Sequence, residues 1–169
     1  EIYTLSLHDA LPICYEFVSE TDTEVVAHLL DYYYKKGDST PLETITKVMH
    51  RLDGSYALGI IFADHADRVY AVRKDSPLIV GIGEDGNLIA SDVPAVLKYT
   101  RDVYFIQNEE IVELSETEIH FYNVDCEEIE KESKHIDWDE NAAEKGGYEH
   151  FMLKEIYEQP KTVRDTFTP

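Results

Sequence analysis

The residues best placed for chemistry lie in Ser19-Glu20-Thr21-Asp22-Thr23-Glu24, followed by Val25-Val26-Ala27-His28-Leu29-Leu30. A short apolar run, Tyr15-Glu16-Phe17-Val18, leads in, and a helical pattern leads out. A carboxylate at such a strand-to-helix turn sits beside backbone N–H groups that lack helical partners. It can orient the polar end of a ligand. Asp22 is therefore the candidate binding residue, suited to holding the ammonium of an amino-acid ligand. The bland alternative is an acidic residue in the first helical turn, where the helix dipole favours it without any ligand.

No nucleophile constellation accompanies Asp22. Cys14 has no activating neighbour in sequence, and Ser55 and Ser91 lack the Gly-x-Ser-x-Gly elbow. The seven histidines are scattered. His28 follows Glu24 by four residues, but one Glu–His pair does not make a metal site, and His28 reads as a core-edge or surface residue. Gly81-Ile82-Gly83 with Gly86 lacks the spacing and the following helix of a phosphate loop, so a hairpin turn is expected. Arg73-Lys74-Asp75-Ser76-Pro77 reads as a tight structural turn. Trp138 and the twelve tyrosines read as packing residues rather than a stacking platform.

The elements that must position Asp22 follow from periodicity. Tyr15–Val18 reads as a strand. Thr21-x-x-Glu24 has the form of a capping box, and Val26, Leu29, Leu30 and Tyr33 recur at helical spacing, with Gly37 as the stop. Thr40-Pro41-Leu42-Glu43 starts a second helix with a capping Thr and a first-turn Pro. Its apolar face is Leu42, Ile45, Val48, Met49 and Leu52, and Asp53-Gly54 breaks it. Ser55–Phe62 then reads as a fully buried strand. Short strands follow at Arg68–Val72, Leu78–Ile82 and Leu88–Ser91, with a short helix at Val93–Tyr99. Val103–Gln107, Glu110–Leu114 and Glu118–Tyr122 read as a closing meander. Cys126–Glu132 is weakly patterned and reads as the exit from the domain. Tyr148–Gln159 is a last helix, stopped at Pro160. The fold class is α+β, a layered sandwich.

Composition narrows the function. The 169 residues, 43% of them hydrophobic, suffice for one domain with a core. A formal net charge of -20 excludes nucleic acid and anionic membrane surfaces as partners. No run is long enough to span a membrane, so a cytoplasmic location is the default. Cys14 and Cys126 have no metal-type spacing, and a distant pair is no disulfide framework.

Residues 1–13 fit neither a targeting signal nor the chain that follows. They match the in-frame translation of a common sequencing-adapter oligonucleotide and are read as an assembly scar. On that reading Cys14 is a native glycine whose first codon base was replaced. The end at Thr166-Phe167-Thr168-Pro169 reads as a truncation.

Four blocks carry a resemblance. Tyr15–Leu29 resembles a segment of the class II (N-terminal nucleophile) glutamine amidotransferases, and within them the glutamine–fructose-6-phosphate aminotransferases. Leu52-Asp53-Gly54-Ser55-Tyr56-Ala57 and Ala71–Gly83 leading into Ile89-Ala90-Ser91-Asp92 agree. Glu144–Pro160, with Lys154-Glu155-Ile156-Tyr157-Glu158-Gln159-Pro160, resembles the segment joining the glutaminase domain to the sugar-isomerase half. The resemblance covers residues 15–169. It implies residues 14–136 as the C-terminal part of a four-layer αββα glutaminase domain, and 137–169 as the linker to the sugar-isomerase domains.

The family's chemistry is attack of an N-terminal cysteine thiolate on the amide of L-glutamine. The ammonia released is passed to fructose 6-phosphate, giving glucosamine 6-phosphate. Asp22 matches the aspartate at the α-amino end of glutamine. No metal or redox cofactor is implied, and a homo-oligomeric parent is. The chain departs from the pattern at its front, where the nucleophilic Cys, the carboxylate-binding Arg and the oxyanion Asn-Gly have no counterpart. No catalytic residue is therefore assigned, and the polypeptide alone is expected to be inactive, with unpaired strand edges. The alternatives are another class II amidotransferase, of the amidophosphoribosyltransferase kind, or a non-catalytic glutamine-binding module.

Overall fold

Two helices open the described chain, and their caps differ. In the computed structural model, which describes residues 15–36, 39–137 and 146–167, α1 spans Thr23–Lys35 and α2 spans Pro41–Met49. At α2 the expected capping box forms. Thr40 Oγ1 accepts the Glu43 N–H at 3.3 Å, the Thr40 N–H donates to Glu43 Oε2 at 2.9 Å, and Pro41 occupies the first turn. At α1 it does not. Asp22 is the N-cap with no side-chain capping bond, and the Glu24 carboxylate reaches back past Thr21 to Val18 and Ser19. The apolar faces are as expected: Val25, Val26, Leu29 and Leu30 are buried on α1, and Ile45, Val48 and Met49 on α2.

Those faces meet one side of a five-stranded antiparallel sheet. β1 is Tyr56–Ile60, β2 Val69–Lys74, β3 Ile79–Gly81, β4 Leu88–Ala90 and β5 Asp102–Phe105. β6 is Ile111–Leu114, β7 Ile119–Tyr122, β8 Glu128–Ile129 and β9 Lys134–His135. The strand orders are β1-β2-β6-β7-β8 and β4-β3-β5-β9. Tyr56, Ile60, Tyr70, Val72 and Ile111 pack with the helices, while Ala71, Val112, Leu114 and Phe121 face Val80 of the second sheet. Period-two alternation thus separates two cores on opposite faces of one sheet. On the far face of the second sheet, Gly81 lies against Val96 and Thr100; a Cβ there would come within 2.9 Å of Thr100 Cγ2. The layers are helix, sheet, sheet and helical turns, the α+β sandwich expected.

Several elements differ from expectation. Tyr15–Val18 is no strand, because the Val18 N–H goes to Glu24 instead of a ladder. β1 is half-buried rather than fully buried: Tyr56 and Ile60 face the helices, Ala57 and Gly59 are exposed, and no described strand pairs with its outer edge. The strands after Tyr99 form no single meander, since β5 joins the second sheet between β3 and β9 while β6, β7 and β8 join the first. Val93–Tyr99 forms turns closed by Val96 N–H to Val93 O at 3.0 Å and Tyr99 N–H to Val96 O at 2.8 Å. Cys126–Glu132 is no plain exit, because β8 lies within it, hydrogen-bonded to β7.

The chain divides into two compact units, Glu1–His135 and Ile136–Pro169. The second carries α3, Phe151–Phe167, which continues through Pro160 instead of stopping there. The lost N–H leaves one carbonyl unpaired, and on this exposed helix water can take it. Residues 1–14, Gly37 and Trp138, the polar run 138–145 and the terminal Thr168-Pro169 lie outside the described residues.

Candidate functional site

Asp22 stands where the incoming segment meets α1. Its backbone is already helical, at φ -66° and ψ -26°, and its carbonyl accepts the Val25 N–H at 3.1 Å. The side chain is half-buried, and the Thr23 hydroxyl donates to Oδ1 at 3.4 Å.

Around it, side chains build the turn. Glu24 Oε1 accepts the Val18 N–H at 2.8 Å and Oε2 the Ser19 N–H at 2.7 Å, and the Ser19 hydroxyl donates to Oε2 as well. The Ser19 hydroxyl bond, then the Val18 N–H, holds the Glu24 carboxyl far below the usual range, at about 2. His28 Nε2 lies 3.2 Å from Glu24 Oε1. The Tyr15 ring stacks on His28 at 4.7 Å, and Phe17 meets it edge-on at 4.9 Å. The Tyr15 hydroxyl donates to Asp31 at 2.5 Å, which raises the pKa of the phenol. His28 is thus the packing post for the incoming segment. Its four-residue spacing from Glu24 was visible in the sequence, but it reads there only as a weak metal pattern.

An apolar groove of about 600 Å³ opens beside the turn, between α1 and β1. Thr23, Ala27 and Leu30 form one wall and Leu58, Ile60 and Phe62 the other, with Asp31 and Asp64 at the rim. It runs along the outer edge of β1.

The other candidates fall into structural roles. Arg73 donates from Nη1 to the Ile106 carbonyl at 3.0 Å. The Asp75 N–H donates to Asn108 Oδ1 at 3.0 Å, and Asn108 Nδ2 to Asp75 Oδ1 at 2.7 Å. This ties the β2–β3 turn to the β5–β6 loop, as a structural turn should. Gly83 and Gly86 form the β3–β4 hairpin turn, where a Cβ on Gly83 would strike Gly86 O at 2.2 Å. Cys126 is half-buried, with its Sγ 3.5 Å from the Thr46 hydroxyl. No group of three or more His, Cys, Asp or Glu among the described residues could hold a metal ion.

Comparison with known proteins gives the family. The chain is 60% identical over 154 residues, 91% of its length, to glutamine–fructose-6-phosphate aminotransferase (isomerizing) of Clostridium acetobutylicum. It is 53% identical over 154 residues to the protein of that name in Clostridium tetani. It spans only 25% of the length of each. Among solved structures, glutamine phosphoribosylpyrophosphate amidotransferase from B. subtilis superposes on 68% of the chain with a TM-score of 0.56 at 21% identity, which shows a shared fold. The profile described as a glutamine amidotransferase domain matches residues 2–98, more than half of the chain. The chain therefore belongs to the glutamine amidotransferase domain family.

Proposed function

We propose that this chain is part of the glutaminase domain of a glutamine–fructose-6-phosphate aminotransferase, with Asp22 holding the α-ammonium of L-glutamine. The observation that carries the reading is the 60% identity across 91% of the chain. The structural likeness to a phosphoribosylpyrophosphate amidotransferase is far weaker in sequence, at 21%, and supports the fold only.

In the complete protein the ammonia released from glutamine would go to fructose 6-phosphate. Residues 137–169 would lead toward the domains that bind that sugar, and the protein would be a cytoplasmic homo-oligomer. Residues 1–13 are read as non-native, although the family match starts at residue 2. Resequencing the source transcript tests that reading, and recovery of residues 1–14 as written overturns it.

Neither cysteine of the 169 residues carries a free α-amino group, which the family's nucleophile uses as its base. A polypeptide of residues 1–169 alone is thus expected to release no glutamate from glutamine above blank. The complete protein is expected to convert glutamine and fructose 6-phosphate into glutamate and glucosamine 6-phosphate. Asp22→Asn should raise its KM for glutamine by about 10- to 100-fold, the loss of one charge-assisted contact. An unchanged KM refutes the role of Asp22, and absence of glucosamine 6-phosphate refutes the wider assignment.

A further inference from the structure

Glu24 lies in the first turn of α1, yet its carboxylate serves the segment before the helix. Two consecutive backbone N–H groups, those of Val18 and Ser19, point one at each oxygen, at 2.8 and 2.7 Å. The Ser19 hydroxyl adds a third donor, and it also accepts the Thr21 N–H at 3.3 Å. The Glu24 side chain is only 11% exposed, with His28 on its other flank. A two-pronged acceptor fixes orientation as well as distance. It is the hydrogen-bonding anchor of Val18 and Ser19, since neither N–H enters a ladder among the described residues.

Asp22 hangs in the short loop this anchor closes, three residues after Ser19 and two before Glu24. Its carbonyl accepts the Val25 N–H at 3.1 Å, and the Thr23 hydroxyl donates to its Oδ1 at 3.4 Å. The path of the segment into Asp22 is fixed by Glu24, which grips Val18 and Ser19 from the first turn of α1.

We propose that Glu24 is a positioning residue: by binding the Val18 and Ser19 N–H groups it holds Asp22 in the pose that receives the α-ammonium of glutamine. This rests on the reading of Asp22 given above. Glu24→Gln preserves volume but turns one acceptor into a donor, which then faces the Ser19 N–H and hydroxyl. The loop loses its fork, and Asp22 loses its aim. The reacting amide lies at the other end of glutamine, so the damage should be confined to recognition of the ammonium.

The test uses the complete protein and two substrates, L-glutamine and glutaramate, which is glutamine without its α-amino group. The readout is the ratio of kcat/KM for glutamine to that for glutaramate. Glu24→Gln should lower this ratio about tenfold, and Ser19→Ala, which removes one of three donors, about threefold. Hydrolysis of glutaramate should stay unchanged in both. A merely structural role lowers both substrates in parallel, and that result, or an unchanged ratio, overturns the proposal. If Glu24→Gln lacks a cooperative thermal transition, the Ser19→Ala ratio decides. A wild-type protein without preference for glutamine, or an Asp22→Asn variant that keeps the preference, overturns the reading of Asp22 and the proposal with it.

Discussion

Thr44 should be improved by losing its oxygen. It sits in α2 with 0% exposure, and its Oγ1 is buried without a hydrogen-bond partner. A buried hydroxyl left unsatisfied costs about 1–3 kcal/mol, whereas an apolar group of the same shape carries no such penalty. Thr44→Val replaces the hydroxyl by a methyl on the same β-branched frame. Helix propensities of the two residues are nearly equal, so the backbone term cancels. The expected gain is about 1–2 kcal/mol, or roughly 3–6 °C in Tm for a unit of this size. Urea titration followed by circular dichroism should show a higher midpoint with an unchanged slope. Thr44→Ser, which keeps the orphan oxygen and removes a packed methyl, should move the midpoint the other way. A Thr44→Val variant destabilised by about 1 kcal/mol or more would show that the hydroxyl has a partner in solution, and the reasoning would fail.

Burial first, and then the charges of Glu109 and Asp75, pushes Tyr56 up to about 12, and burial with Glu113 does the same for Tyr70. Unfolded tyrosines ionise near 10, so stability is full below that pH and is lost as pH rises toward 12; ultraviolet titration should show these two tyrosines ionising together with unfolding. The Glu24 carboxyl, held at about 2 against 4.5, contributes stability above pH 4.5 that is lost as pH falls toward 2. The Val18 and Ser19 amide resonances should shift with a midpoint near 2, and a midpoint near 4.5 would refute the clamp. Gly83→Ala should cost about 2 kcal/mol by forcing the hairpin apart, whereas Gly59→Ala should be mild, because its Cβ would meet only the mobile end of Ile89. Ile61, 66% exposed just past the uncharged edge strand β1, promotes edge-to-edge association, so Ile61→Lys should slow aggregation in light scattering.

What was legible in the sequence was local. The Thr40–Glu43 box forms because every partner lies within one helical turn. The apolar stripes of α1 and α2 predict burial because the helix period itself decides which residues share a face. The box read at Thr21–Glu24 does not form because Ser19, five residues back, offers both an N–H and a hydroxyl to the same carboxylate. Ser55–Phe62 reads as buried on both faces because Ala57 and Gly59 are apolar by type. Whether small residues face a core depends on a neighbouring sheet, which the strand does not encode. β8 and β9, two residues each, are shorter than any period can register. The allotment of β5 to the second sheet is a long-range choice that alternation within β5 leaves open.

The same distinction applies to the site. Asp22 is a candidate legible in the sequence because its neighbours form a contiguous block. The residues that build the turn around it are not legible, since Tyr15, Phe17, Glu24 and His28 act together only once α1 turns His28 back over the incoming segment. Helical spacing puts Glu24 and His28 on one face, and that face is shared by the two aromatic rings and the two N–H groups of the segment. A turn built this way has its shape set by side chains of one short stretch, not by strands from elsewhere in the sheet. The contacts described for this turn come from residues 15–31, with Asp31 included through the Tyr15 hydroxyl.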